Sequence, residues 1–186
     1  MPYANVNSPN GFIPIGLEGI KSPKRKRRVV DANRAATASA STAILSVGDA
    51  YTVDANGHAK HAGPADRVQG IVEAIELEAD PTIMNANGPV SVDQLTAAMS
   101  GAILGIEDEN VDFVVQADTF AESNQLGLFN LLDTVAPSTL FRQSRQSLNV
   151  SGGAGTQFRA IDIKNSPADN AYGAFAKVVV RLAQVV

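Results

Sequence analysis

What confines this chain is its punctuation. Between residues 43 and 186 the apolar segments are short, and Asn-Gly, Pro or Gly clusters separate them. Ala43–Val53 and His58–Ala62 flank Asn56-Gly57, a pair suited to a type I′ turn because both central residues of that turn need positive φ. Arg67–Glu78 reads as a long strand that Pro81 ends, followed by a loop at Asn85, Asn87, Gly88 and Pro89. Ala102–Glu107 and Val111–Ala117 read as paired strands joined by the acidic turn Glu107-Asp108-Glu109-Asn110. Leu126–Leu132, Ser147–Val150, Gln157–Ile163 and Ala174–Val185 complete the set. In the last of these Val178, Val180 and Leu182 alternate with Lys177, Val179 and Arg181, as a half-buried strand requires. One short helix is expected: Ser91-Val-Asp-Gln94 matches a capping box, Val92, Leu95 and Met99 share a helical face, and Gly101 is placed to end it. About eight short strands at this spacing define a mainly β chain, an antiparallel barrel or sandwich rather than an α/β fold.

Charge divides the chain in two. Residues 1–34 carry a net +5 and residues 35–186 a net −9, within an overall −4. The sequence therefore reads as an N-terminal arm and linker over 1–42 and a β-rich body over 43–186. Pro14, Gly16, Gly19 and Pro23 recur too closely for a helix or a central strand. Yet Phe12, Ile13, Ile15, Leu17 and Ile20 are apolar, and a free tail would be polar throughout. An extended arm that docks on its own body, a sister subunit or a larger assembly fits this pattern. The run Lys24-Arg25-Lys26-Arg27-Arg28 needs a partner or open solvent, because five adjacent cations repel one another. Three readings compete for it: an acidic protein surface or the chain's own acidic body, solvent, and nucleic acid. The flanks lack stacking aromatics and the body is acidic, which weighs against nucleic acid.

Several chemistries are excluded outright. The 186 residues contain no cysteine, so there is no disulfide, thiolate metal site or Cys nucleophile. No apolar run reaches the ~18 residues of a membrane helix, and no signal-peptide core follows Met1. His58 and His61 read as solvated turn histidines, and Glu107, Asp108, Glu109 and Asp112 as a solvated acidic turn lacking calcium-loop spacing. Gly152-Gly153-Ala154-Gly155 lacks the Lys-Ser or Lys-Thr that follows a phosphate-binding loop and reads as a hairpin loop. No nucleophile elbow or assignable carboxylate pair is present, so the expectation is a protein without catalysis, cofactor or metal.

Several features of the body resemble a known family. Gly48-Asp49 leads to a strand ending at Asn56-Gly57. Arg67-Val-Gln-Gly-Ile-Val72 carries a glycine beside apolar residues, and Phe113-Val-Val-Gln-Ala-Asp118 precedes the Gly127 segment. A segment from Ser144 to Leu148 follows, with Gln143 where the pattern would place Gly. Ile161-Asp-Ile163 then leads through Ala168-Asp-Asn170 and Gly173 to a Val-rich last strand. Over residues 43–186 the chain resembles the capsid decoration, or cement, proteins of tailed bacteriophages. The resemblance implies a β-tulip-like barrel, often a homotrimer, made in the host cytoplasm and seated on the outside of the virion head. There it would clamp neighbouring major capsid subunits. The arm lies outside the resemblance. On the residue reading alone, Phe12, Ile13, Ile15, Leu17 and Ile20 would anchor it on a protein partner, with Lys24, Arg25, Lys26, Arg27 and Arg28 at the rim. A tail or head–tail joining protein, or a nucleic-acid-binding module using the arm, are the alternatives.

Overall fold

The computed structural model describes residues 9–15, 23–30, 45–77, 91–92, 94–95, 101–132, 144–164 and 170–183. The fold is mainly β. Its strands are β1 (Ile13–Ile15), β2 (Arg25–Val30), β3 (Leu45–Ser46), β4 (Ala50–Val53), β5 (Ala59–His61), β6 (Gly70–Leu77), β7 (Ser91–Val92) and β8 (Gln94–Leu95). They continue with β9 (Gly101–Ile106), β10 (Asp112–Gln116), β11 (Thr119–Phe120), β12 (Leu128–Leu132), β13 (Ser147–Asn149), β14 (Phe158–Ile163), β15 (Gly173–Ala174) and β16 (Lys177–Leu182).

Five strands close on themselves. β4 pairs with β5 and with β6, β6 with β9, β9 with β2, and β2 with β5. The ring is antiparallel except between β2 and β5, which run parallel and meet at Val30 and Ala59. Val30, Leu45, Tyr51, Ala59, Val72, Ile75 and Ile103 pack as the barrel core. Tyr51 is its largest member and leaves no room for a neighbouring side chain. A Cβ at Gly105 would strike the Tyr51 ring, and one at Gly70 would press on that ring and on the Ile106 carbonyl. Glycine at these two strand positions is a close-approach requirement.

The remaining long strands form a six-stranded sheet in the order β1-β10-β16-β14-β12-β13. A bridge between Ala117 and Leu148 brings its β13 edge back to the residue following β10, so the sheet curls around a second core. Phe113, Phe129, Leu131, Leu148, Phe158, Val178 and Val180 fill that core, and Ala50, Ile71 and Ile106 reach into it from the barrel. The two halves are thus one packed unit. Two glutamines stitch the seam. Gln146 accepts from the Ala50 N–H at 2.6 Å and donates to the Ala62 carbonyl at 2.9 Å. Gln157 accepts from the Leu131 N–H at 2.7 Å and donates to the Gly63 carbonyl at 2.9 Å.

Three local expectations are corrected. The described residues of the expected helix are strand instead: β7 pairs with Ile75 and Glu76, β8 with Leu45 and Ser46, and Gly101 opens β9, while 93 and 96–100 lie outside the described residues. The only helical piece among the described residues is a 3₁₀ turn, Glu122–Asn124. A capping box is a local preference, and open edges on β6 and β3 offered Val92 and Leu95 non-local backbone partners. Second, β9 and β10 do not pair. The acidic turn between them carries the chain from the barrel to the other sheet, held by Asp108, which accepts from the backbone of Lys24 at 3.0 Å and of Asn110 at 2.9 Å. Third, Asn56-Gly57 makes a hairpin turn with positive φ at Gly57 alone. Asp54 accepts from the N–H groups of Asn56 and His58, which favours a type I turn followed by a left-handed glycine. By contrast β16 follows its pattern, with Val178, Val180 and Leu182 buried and Lys177 and Arg181 exposed.

Candidate interaction surfaces

The basic run is a strand of the chain's own barrel. Arg25 through Val30 pair residue by residue with β9. Strand alternation sends Arg25 and Arg27 to one face, where they reach across to β6: Arg25 meets Glu73 at 2.6 Å and Arg27 meets Glu76 at 3.0 Å. Arg28 points the other way and meets Glu107 at 2.7 Å. Glu107 also accepts from the Tyr51 hydroxyl at 2.8 Å. Burial alone would raise the Glu107 carboxyl, but the hydrogen bonds from Tyr51 and Arg28 outweigh it and hold it below its usual range. The same arrangement, burial first, pushes the Tyr51 phenol up. Glu107 is therefore not a solvated turn residue: only 2% of it is exposed, because β9 carries it into the barrel beside Arg28. The Lys24 and Lys26 ammonium groups have no carboxylate within 4 Å among the described residues.

The apolar arm residues separate. Phe12 is fully buried, its ring stacked on Phe158 with centroids 4.4 Å apart and its N–H donated to the Gly48 carbonyl at 2.8 Å. It fills this chain's own second core and is not available to a partner. Ile13 and Ile15 lie on β1, the outermost strand beside β10. Ile13 is 48% exposed and Ile15 half-buried. Pro14 between them has no N–H to offer, which blunts this sheet edge. Leu17 and Ile20 lie outside the described residues, as does the linker.

His61 is also corrected. On β5, Ala59 and His61 point inward and Lys60 outward, so His61 is buried at the seam rather than solvated. Its Nε2 lies 3.1 Å from the Gln146 amide nitrogen, which donates to it, and 3.8 Å from Asp49 Oδ2. Burial lowers the imidazole to about 4, against a smaller opposing pull from Asp66. His58 stays at the turn, 3.8 Å from the Asp54 carboxylate. Three positions apart on an extended segment, the two imidazoles face opposite ways.

Sequence reading missed the opposite rim of the second sheet. Leu126 is 66% exposed and adopts φ of 60°, a left-handed conformation that costs a bulky side chain about 1–3 kcal/mol. Its N–H is tied to the Ala160 carbonyl at 2.9 Å, and that of Gly127 to the Asn124 carbonyl at 3.1 Å. Next to it Gln125 donates to Asp162 and to the Tyr172 hydroxyl, both at 2.8 Å, and Tyr172 donates to Asp162 at 2.9 Å. Those bonds, Gln125 foremost, hold the Asp162 carboxyl low. Tyr172, 41% exposed, stacks on Phe120. Leu126 precedes a glycine in an apolar run, a hint of a break in the strand, but nothing in the residue order reveals its positive φ.

Comparison with family models, with curated proteins and with solved structures finds no match to this chain.

Proposed function

We propose that this chain is a structural component of a tailed-phage particle: a decoration protein that sits on the outside of the head as a homotrimer and clamps neighbouring major capsid subunits. The role is binding, without catalysis or cofactor. The observation that carries the reading is the body itself, a closed five-stranded barrel packed against a curled antiparallel sheet, the kind of architecture the resemblance implies. Such a protein stabilises the lattice by binding only its assembled form, and the repetition of weak contacts adds avidity. The pairing of Arg25, Arg27 and Arg28 with Glu73, Glu76 and Glu107 weighs against the nucleic-acid alternative. The test is a cryo-EM reconstruction of particles from a culture that carries the gene, with the protein identified in them by mass spectrometry. Density for the barrel on the outer face of the head supports the proposal. Density in the tail or at the head–tail junction assigns it to that other class, and absence from the particles overturns it.

A further inference from the structure

Two exposed apolar features lie at opposite sides of the curled sheet. One is a knob, Leu126. The other is a hollow of about 100 Å³ beside β1, its floor formed by Ile13, Ile15 and Val114 and its rim polar, with Asn10, Gln116, Lys164 and Lys177. The register places them on neighbouring rungs: Ile13 pairs with Val114, Val114 with Val179 and Val179 with Asp162, while Leu126 is bonded to Ala160 two residues earlier on the same strand. Along the sheet, β14, β16 and β10 lie between the two features. One molecule cannot bring its own knob into its own hollow.

We infer that Leu126 of one copy seats in the Ile13–Ile15–Val114 hollow of the next, in a head-to-tail contact between identical chains. Size fits: an apolar cavity of about 150 Å³ holds a benzene, so about 100 Å³ takes one aliphatic side chain. Charge fits too. Lys164 and Lys177 have no carboxylate within 4 Å among the described residues. The knob's surroundings are acidic, with Glu122 in the turn just before it and the Asp162 carboxylate bonded to the neighbouring Gln125 and Tyr172. The backbone supplies a third argument. Hydrogen bonds on both sides hold this leucine at positive φ with its side chain two-thirds exposed, so the apolar side chain is left unburied by its own chain, whereas a partner's hollow would bury it. Because knob and hollow are different surfaces, the contact is heterologous and closes into a ring when the rotation between copies allows. This inference rests on the self-association in the functional proposal and not on its placement in a virion.

Analytical ultracentrifugation of the full chain across a concentration series tests it. The native protein should self-associate. Leu126→Asp and Ile13→Asp should each be monomeric under the same conditions. Mixed one to one they should form a dimer and nothing larger, since one retains the hollow and the other the knob. Leu126→Gly, free to adopt positive φ, should melt no lower than the native chain yet associate at least about tenfold more weakly. If Ile13→Asp does not fold, the double variant Lys164→Glu/Lys177→Glu takes its place. A native chain that stays monomeric throughout, an oligomer that survives Leu126→Asp, or a mixture that stays monomeric overturns the contact. An oligomer that ignores these changes leaves the virion proposal standing, whereas absence from particles removes that proposal and leaves the contact untouched.

Discussion

His61 and Glu107 both lose their stabilising contribution in acid, but over different pH ranges and for different reasons: burial lowers the imidazole, whereas the hydrogen bonds from Tyr51 and Arg28 lower the carboxyl against burial. His61 is held neutral at the seam, with its imidazole lowered to about 4 from the ordinary 6.5. Below 6.5 the unfolded chain takes up a proton that the folded chain refuses. The stability His61 contributes is therefore fully present above 6.5 and is lost as pH falls toward 4, by at most about 3 kcal/mol. Asp66 and the Asp49 carboxylate 3.8 Å away face the ring and would shelter a cation, so the measured loss should fall short of that limit. Glu107 is depressed below its usual range, so its contribution persists through this window and is lost only at lower pH. Urea midpoints taken between pH 7 and 4 should fall for the native chain and fall distinctly less for His61→Gln. Equal slopes would show that the seam tolerates a charged imidazole.

β2 shows how a local signal and its structural meaning can part. Five adjacent cations suggest a polyanion, yet three are spent on Glu73, Glu76 and Glu107 of this same chain. Lys24 and Lys26 remain. Binding to duplex DNA, if it is detectable, should then show a log–log salt slope of about −2, where five free cations would give −4 to −5. A slope in the steeper range would mean that DNA pulls the strand's arginines from their carboxylates. The same element explains what the sequence could and could not reveal. Period-two alternation in Lys177–Leu182 is written in the residues, and it survived folding because burial on one face enforces it. Which strands pair is not written there. Ser91 to Leu95 has the residues of a helix start and still became two short strand segments, since the edges of β6 and β3 lie far away in sequence. The arm was legible as something that docks, from its apolar residues. Its docking place was not, because Phe12 finds Phe158 across nearly the whole chain. At the candidate contact, the exposed Leu126 was invisible for a related reason: it is defined by a backbone dihedral that no residue type reports.

Seen whole, the molecule is two curled sheets, each around its own core, joined where Ala50, Ile71 and Ile106 of the barrel enter the second core and where Gln146 and Gln157 are stitched across the seam. No helix among the described residues is long and apolar enough to cross a membrane. The barrel half has a peculiarity of assembly. Its closing strand comes early in the chain, and the β9 residues it pairs with follow only after some seventy to eighty residues. Loops of that length slow closure, so the ring should shut late in folding. Until it does, Lys24–Arg28 is a bare cationic ribbon without its glutamates. A polyanion present at that moment competes for it, although the same polyanion finds little to grip once the ring is shut. Refolding followed by tyrosine emission should therefore slow when heparin is added, while unfolding of the finished protein keeps its rate. Identical refolding traces with and without heparin would mean that the ribbon is paired from the outset. The strand that completes this barrel is thus also where its folding is most open to interference, and crowded surroundings rich in RNA would test it before any partner does.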